Sequence, residues 1–219
     1  MSLNREQRSI LLGGLSRLGI ESTEEMIGRF SIFIEELVLW NRHTNLVGTN
    51  DVERIIVRHI LDSLSAYCLL KAQNGSILDI GTGAGFPSIP LKIAAPSLQI
   101  TLCERRRRRA AFLRNVVNLL DLSRVDVVEC DVRDVRQQFD IALARGVGEL
   151  VQIVELTGEV LKERSMIIAF KGKITEIERE MERLKESSCA DKSMHIDVQK
   201  VTVPYLDKEE RNIVIIKTK

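Results

Sequence analysis

Three glycines in five residues, Gly81, Gly83 and Gly85, follow the apolar run Ile77-Leu78-Asp79-Ile80 and precede Phe86-Pro87. Backbone without a Cβ takes positive φ freely and lets a ligand come close. Pro87 suits the first turn of a helix, where its missing N–H is not needed. A buried strand, a glycine-rich turn and a helix start form a nucleotide-type binding corner. The spacing is G-x-G-x-G, not the dinucleotide G-x-G-x-x-G. No Gly-Lys-Ser/Thr follows, so it is no P-loop. The plain alternative is a tight turn with no ligand.

Other residues fall at comparable places. Glu104 ends the next strand, where an acid accepts hydrogen bonds from ribose hydroxyls; the alternative is a solvated strand end. Asp131, Val132 and Arg133 follow the third strand, where a backbone N–H and a side-chain acceptor suit a purine. Arg145, in Ala144-Arg145-Gly146, lies past the fourth strand, and Lys171-Gly172 ends the fifth on the same side, where Lys171 is expected to join the RNA-binding set. Arg105, Arg106, Arg107, Arg108 and Arg109 run unbroken beside that edge, with Arg114 following and no acid between 105 and 118. Phosphate binding fits such a run, and RNA or DNA is the usual polyphosphate; a solvated helix face is the alternative. His59 and Asp62, at i and i+3, read as a local hydrogen-bonded pair. There is no Ser/His/Asp set in a plausible setting, no metal-ligand spacing, and no singled-out carboxylate pair.

The elements that must position these groups follow from periodicity. Helical spacing predicts amphipathic helices over 3–18, 23–42 and 51–72, with Asn74-Gly75 as the joint. Beyond it, strands are expected over 76–80, 98–104, 124–130, 139–144, 164–170, 196–203 and 212–218. Helices are expected over 86–95, 107–120, 149–161 and 173–187. Strands alternating with helices argue an α/β fold with a mostly parallel sheet covered on both faces. The last two strands, with no helix between them, read as an antiparallel edge hairpin, and 205–211 as its long charged loop.

The 219 residues, 44% hydrophobic and 29% charged, are enough for a sizeable core. A net charge of +1 implies no global electrostatic partner, so any basic patch is local. No apolar run approaches the ~20 residues of a membrane span. The charged N-terminus has no signal-peptide core. Cys68, Cys103, Cys130 and Cys189 are scattered with no C-x-x-C, which suggests a reduced, cytoplasmic protein.

These motifs resemble the ribosomal RNA small-subunit methyltransferase G family, also called glucose-inhibited division protein B. The resemblance rests on Trp40-Asn41, Asn45-Leu46, His59, Asp62-Ser63-Leu64, the whole stretch Leu78 to Pro87, and Ile89-Pro90-Leu91. It continues through Arg108-Arg109, Phe112-Leu113, Ala144-Arg145-Gly146 and Lys171-Gly172. It implies a Rossmann-like class I S-adenosylmethionine-dependent methyltransferase domain over 73–219, with a helical cap over 1–72. It implies methylation of N7 of a guanosine in bacterial 16S small-subunit ribosomal RNA; a monomer acting on that RNA or on the assembled subunit is expected. Gly81, Phe86, Val132, Arg133 and Arg145 would contact S-adenosylmethionine or line its site, and Glu104 would hold the ribose. Two departures stand out. Leu46-Val47-Gly48 replaces the more usual Leu-Thr-Ala, and 105–107 is unusually basic.

The chemistry is consistent. Guanine N7 has a free lone pair and no proton, so its methylation needs positioning and electrostatics rather than a base. Ala144-Arg145-Gly146 is not the Asn/Asp-Pro-Pro-aromatic motif of exocyclic-amine methylation, and no cysteine has the setting of a carbon-methylating nucleophile. Arg145 would orient the guanine or the methionine carboxylate. Two other readings compete. A nicotinamide-dependent oxidoreductase requires a second dinucleotide half, which the terminal hairpin argues against. A non-enzymatic RNA-binding module would leave the glycine corner a mere turn.

Overall fold

The computed structural model describes residues 3–189 and 194–218. Seven strands form one sheet: β1 Ser76–Ile80, β2 Gln99–Cys103, β3 Val125–Val128, β4 Phe139–Arg145, β5 Leu161–Lys171, β6 His195–Val201 and β7 Arg211–Lys217. Their order is β3-β2-β1-β4-β5-β7-β6. β1 to β5 pair in parallel, and β7 runs antiparallel between β5 and β6. The order turns back between β1 and β4, which makes their carboxyl ends the switch point where ligands of such sheets bind. Register sets the rest. Ile80 is level with Cys103 on one side and with Ala144 on the other. Gly81, Glu104 and Arg145 therefore leave adjacent strands in one row.

Strands β1, β2, β4 and β7, and β5 from Ser165 to Ala169, are largely buried on both faces and their alternating side chains enter two cores, whereas the edge strands β3 and β6 are only partly buried. Ile77, Ile100, Leu102, Ile141, Leu143, Ile213 and Ile215 face the core shared with the N-terminal helices. Leu78, Ile80, Cys103, Ala142, Ala144, Val214 and Ile216 face the opposite core.

The helical region opens with α1 Arg5–Arg17, capped reciprocally by Asn4 and Gln7, and α2 Glu24–Thr44, capped by Thr23. Phe30, Phe33 and Leu37 of α2 are fully buried in the first core, so the cap and the sheet share one apolar interior. The expected continuous helix over 51–72 is instead interrupted. After α3 Val52–Ile55, a π-helical segment spans Ile56–Leu61, followed by α4 Asp62–Leu64 and, past a break, α5 Tyr67–Leu70. Ser63 and Ser65 hydroxyls donate to the carbonyls of His59 (2.5 Å) and Asp62 (2.6 Å), side-chain bonds that compete with the regular ladder there.

In the second half, α6 Ser88–Ala94 and α7 Arg107–Leu119 follow β1 and β2, while α8 Leu150–Thr157 and α9 Ile174–Glu186 flank β5. Helix α8 ends earlier than the expected 161 because the Thr157 hydroxyl turns back to the carbonyls of Ile153 and Val154 and Gly158 follows; β5 then starts at Leu161. The hairpin loop is not simply charged and solvated. Val203 and Leu206 are buried, Arg17 lies 4.5 Å over the Tyr205 ring, and Glu209 pairs with Arg58 and Arg211. The loop thereby fastens the hairpin to the N-terminal helices. No helix among the described residues is long and apolar enough to cross a membrane.

Candidate active site

A cavity of about 670 Å³ opens at the carboxyl ends of β1, β2 and β3. Its lining includes Ile80, Gly81, Glu104, Asp131, Val132 and Val147. Gly81, the first residue of the glycine turn, is part of that lining. Gly81, Gly83 and Gly85 all have positive φ, at 62°, 60° and 85°. They differ in what a side chain would meet. A Cβ on Gly83 would make only ordinary contacts, 3.7 Å from Arg109 Nη1 and 3.8 Å from Gly81 O. A Cβ on Gly85 would lie 2.6 Å from Ile89 Cγ1 and 3.3 Å from Leu113 Cδ2. Gly85 thus makes room for protein packing rather than for a ligand, a correction to its expected cofactor role.

Glu104 is 4% exposed. Its Oε2 accepts from the Gly83 amide at 3.1 Å, and its Oε1 from the Arg106 amide at 2.8 Å. The carboxylate locks the glycine turn and caps the start of α7, whose first turn has no acid of its own. A carboxylate has about four acceptor sites, so each oxygen retains one for a hydroxyl donor. Asp79, fully buried on β1, accepts from Thr82 Oγ1 at 2.7 Å. Burial pushes its carboxyl up to about 7, against the lowering pull of the Thr82 hydroxyl. Asp79 Oδ1 and Ser88 Oγ are buried without a hydrogen-bond partner. In the cavity, Gly81 offers backbone without a side chain and Glu104 offers spare acceptors beside Asp131, an arrangement that fits the ribose of a nucleoside.

The remaining expected residues divide. Arg105, Arg106 and Arg109 line this same cavity, so part of the arginine run faces the site as well as solvent. Arg107 and Arg108 are exposed. Arg133 reaches back to Asp131, with Nε to Oδ1 at 2.8 Å and Nη2 to Oδ2 at 2.9 Å. These bonds hold the Asp131 carboxyl well below the usual carboxylate range. The Val132 side chain is buried beside them. Lys171 is the clearest miss. Its ammonium donates to Gly148 O and to Glu180 Oε2, both at 2.6 Å, and its side chain is 11% exposed, so it is neutralised inside the protein and not offered to phosphate.

Arg145 sits at the switch point but faces the cap. Alternation along β4 dictates this, because Ile141 and Leu143 face the cap-side core. Its guanidinium donates to Asp62 Oδ2 (2.9 Å) and Arg58 O (2.8 Å), and meets His59 Nδ1 at 3.4–3.5 Å. His59 and Asp62 are therefore linked through Arg145 rather than simply to each other. Arg211 Nε supplies Asp62 with a second guanidinium at 3.2 Å. Phe86, 5% exposed, stacks on the His59 ring at 5.0 Å and lies 5.7 Å below Arg145, so it belongs to this cluster rather than to the cavity wall. Burial, then Arg145 and Arg58, push the His59 imidazole down to about 4.

Sequence reasoning gave no role to Asp79, Arg58 or Arg211. Asp79 had a signal, an acid inside a strand otherwise apolar. Arg58 and Arg211 had none, since their partners are distant in sequence.

The family model for rRNA small subunit methyltransferase G matches residues 26–214. A ribosomal RNA small subunit methyltransferase G from Acetivibrio thermocellus is 33% identical over 216 residues, covering 96% of this chain and 88% of that protein. One from Neisseria meningitidis is 33% identical over 213 residues, covering 97% and 99%. Among solved structures, the O-methyltransferase from Bacillus cereus in complex with SAH aligns with a TM-score of 0.59 at 15% identity, over 86% of this chain and 91% of that one, a likeness of fold. The chain belongs to the rRNA small subunit methyltransferase G family and is an S-adenosylmethionine-dependent rRNA methyltransferase.

Proposed function

We propose that the enzyme methylates N7 of a guanosine in 16S ribosomal RNA, as a cytoplasmic monomer acting on the RNA or the assembled small subunit. S-adenosylmethionine, when bound, supplies a sulfonium methyl for in-line transfer. Gly81 and Gly83 give it backbone without side chains. Glu104 accepts the ribose hydroxyls, and Asp131, Val132 and Arg133 stand at the purine end. Arg145, positioned by Asp62 and His59, supplies fixed positive charge at the switch point and orients the reacting partners. Arg105 to Arg109 hold RNA phosphates.

The observation that carries the choice of atom is the state of the cavity's Cys103. It is 2% exposed with its Sγ turned to Cys130 O at 3.5 Å, and burial pushes the thiol up to about 12, so it is not placed for attack on a pyrimidine carbon. Guanine N7 needs neither thiolate nor base. Single-turnover transfer of labelled methyl to small-subunit particles and to naked RNA, read by nucleoside mass spectrometry, should give 7-methylguanosine. A methylated pyrimidine carbon or exocyclic amine overturns the assignment. Glu104→Ala should weaken calorimetric S-adenosylhomocysteine binding by ~1–3 kcal/mol, the range for lost charge-assisted and buried hydrogen bonds. Unchanged affinity would remove the acid from the site.

A further inference from the structure

A second depression lies on the far side of the first turn of α7. Leu39, Trp40, His43 and Thr44 of the last turns of α2 form one wall, and Arg108 forms the other, around about 450 Å³. Leu39 is 50% exposed, a large apolar side chain left in solvent. Trp40 is held edge-on by Phe112, with ring centroids 5.8 Å apart. Below it, Asn41 fastens the following loop through Val47 N, Thr49 O and Asn50 Oδ1, so the wall is rigid. Arg108 makes no side-chain hydrogen bond or ion pair with the described residues.

We infer that this groove binds an unpaired nucleotide of the substrate RNA, its base stacked against Trp40 and Leu39 and its phosphate held by Arg108. The inference rests on the ribosomal RNA reading above. Charge selects the occupant. The helix start that sends Arg105, Arg106 and Arg109 into the Glu104 cavity sends Arg108 towards Trp40, and no acid lies in that turn. A strand that presents its target base at the cavity crosses this turn with its phosphates, which brings a flanking base to the groove. An aromatic wall beside a free guanidinium is the recurrent form of single-strand recognition.

Trp40 is the chain's single tryptophan, so tryptophan emission, excited selectively over the two tyrosines, reports this groove. Titration of the whole protein with an unstructured RNA decamer should quench it saturably. Duplex RNA and inorganic phosphate should not. Arg108→Gln should raise the half-saturating RNA concentration about fivefold. Trp40→Ala should lower methyl transfer about tenfold through KM rather than kcat, within the range for one lost stacking contact. Trp40→Phe should restore most of it, and S-adenosylhomocysteine affinity should not change in either variant. If Trp40→Ala fails to fold, quenching of the unaltered protein still decides. RNA that binds on filters and is methylated without any fluorescence change overturns this inference alone. Failure of the unaltered protein to bind S-adenosylhomocysteine strikes the functional reading instead. Quenching by small-subunit proteins and not by RNA makes the groove a protein-docking surface and overturns the inference.

Discussion

The glycine corner and the cap-side cluster meet at the same strand ends, and they are built differently. The corner uses backbone amides, open space and Glu104, which bonds to Gly83 and Arg106, close along the chain or on the next strand. The cluster uses side chains from three distant segments, with Arg145 and Arg211 converging on Asp62. A corner made of backbone tolerates changes that leave φ and volume alone. A cluster made of buried charges depends on every member, because each leaves an uncompensated partner when removed.

Asp62→Ala should therefore produce the largest loss. It strands two guanidiniums and should cost about 3 kcal/mol of folding stability, the low end for a broken buried pair, since both arginines keep some solvent contact. Urea denaturation measures it; a loss below ~1 kcal/mol would reduce the cluster to a surface ion pair. Next come two glycines of the same turn. Gly85→Ala should destabilise by about 2–3 kcal/mol through overpacking against Ile89 and Leu113 and its left-handed φ. Gly83→Val should stay folded, carrying the φ cost of about 1–2 kcal/mol, yet abolish S-adenosylhomocysteine binding in calorimetry. Equal effects of the two on stability and binding would erase the distinction between packing and ligand glycines.

The strand and helix alternation, the mostly parallel sheet and the antiparallel terminal pair follow from hydrophobic period, which the sequence displays; the strand order and the register do not. Glu104 was legible because that period places it at a strand end. Arg145 was legible as a strand-end residue, but its direction depended on carrying the alternation of Ile141 and Leu143 one step further. Lys171 was misread because its neutralising partner, Glu180, comes from α9, and nothing in the sequence turns that acid back to the strand end. The π-helical segment has no local sequence signature that separates it from an α-helix, and the packing of 205–211 depends on Arg17 and Arg58, remote along the chain.

A smaller effect tests how far the arginine run belongs to both regions. Replacing Arg105, Arg106 and Arg107 by Gln should lower the slope of log K against log salt for RNA by ~0.7–0.9 per lost phosphate contact. Because Arg105 and Arg106 line the cavity, S-adenosylhomocysteine affinity should fall as well, by less than tenfold. Cofactor affinity identical to the parent would return these side chains to the RNA side alone. An unchanged salt slope would make the run a solvated helix face.

The smallest effect compares two buried titrating groups. Between about pH 4 and 7 the folded chain keeps a proton on Asp79 that the unfolded chain releases, so this contribution to stability falls as pH rises. Between about pH 4 and 6.5 the unfolded chain binds a proton on His59 that the folded chain rejects, so that contribution grows as pH rises. Each is limited to about 1.4 kcal/mol per pH unit, and they oppose. Asp79→Asn should make stability climb more steeply from pH 4 to 6.5, and His59→Gln should flatten or reverse the climb. Parallel pH profiles for both variants would contradict the opposing pair.

The uncompensated arginines at the head of α7 also shape how the enzyme finds its substrate. Phosphate contacts carry no sequence information, so this surface attracts every RNA in a cell with similar strength. Encounter is fast, and so is sequestration on irrelevant strands. Turnover on the true substrate should pass through an optimum in ionic strength: below it the enzyme is trapped elsewhere, above it the search loses its guidance.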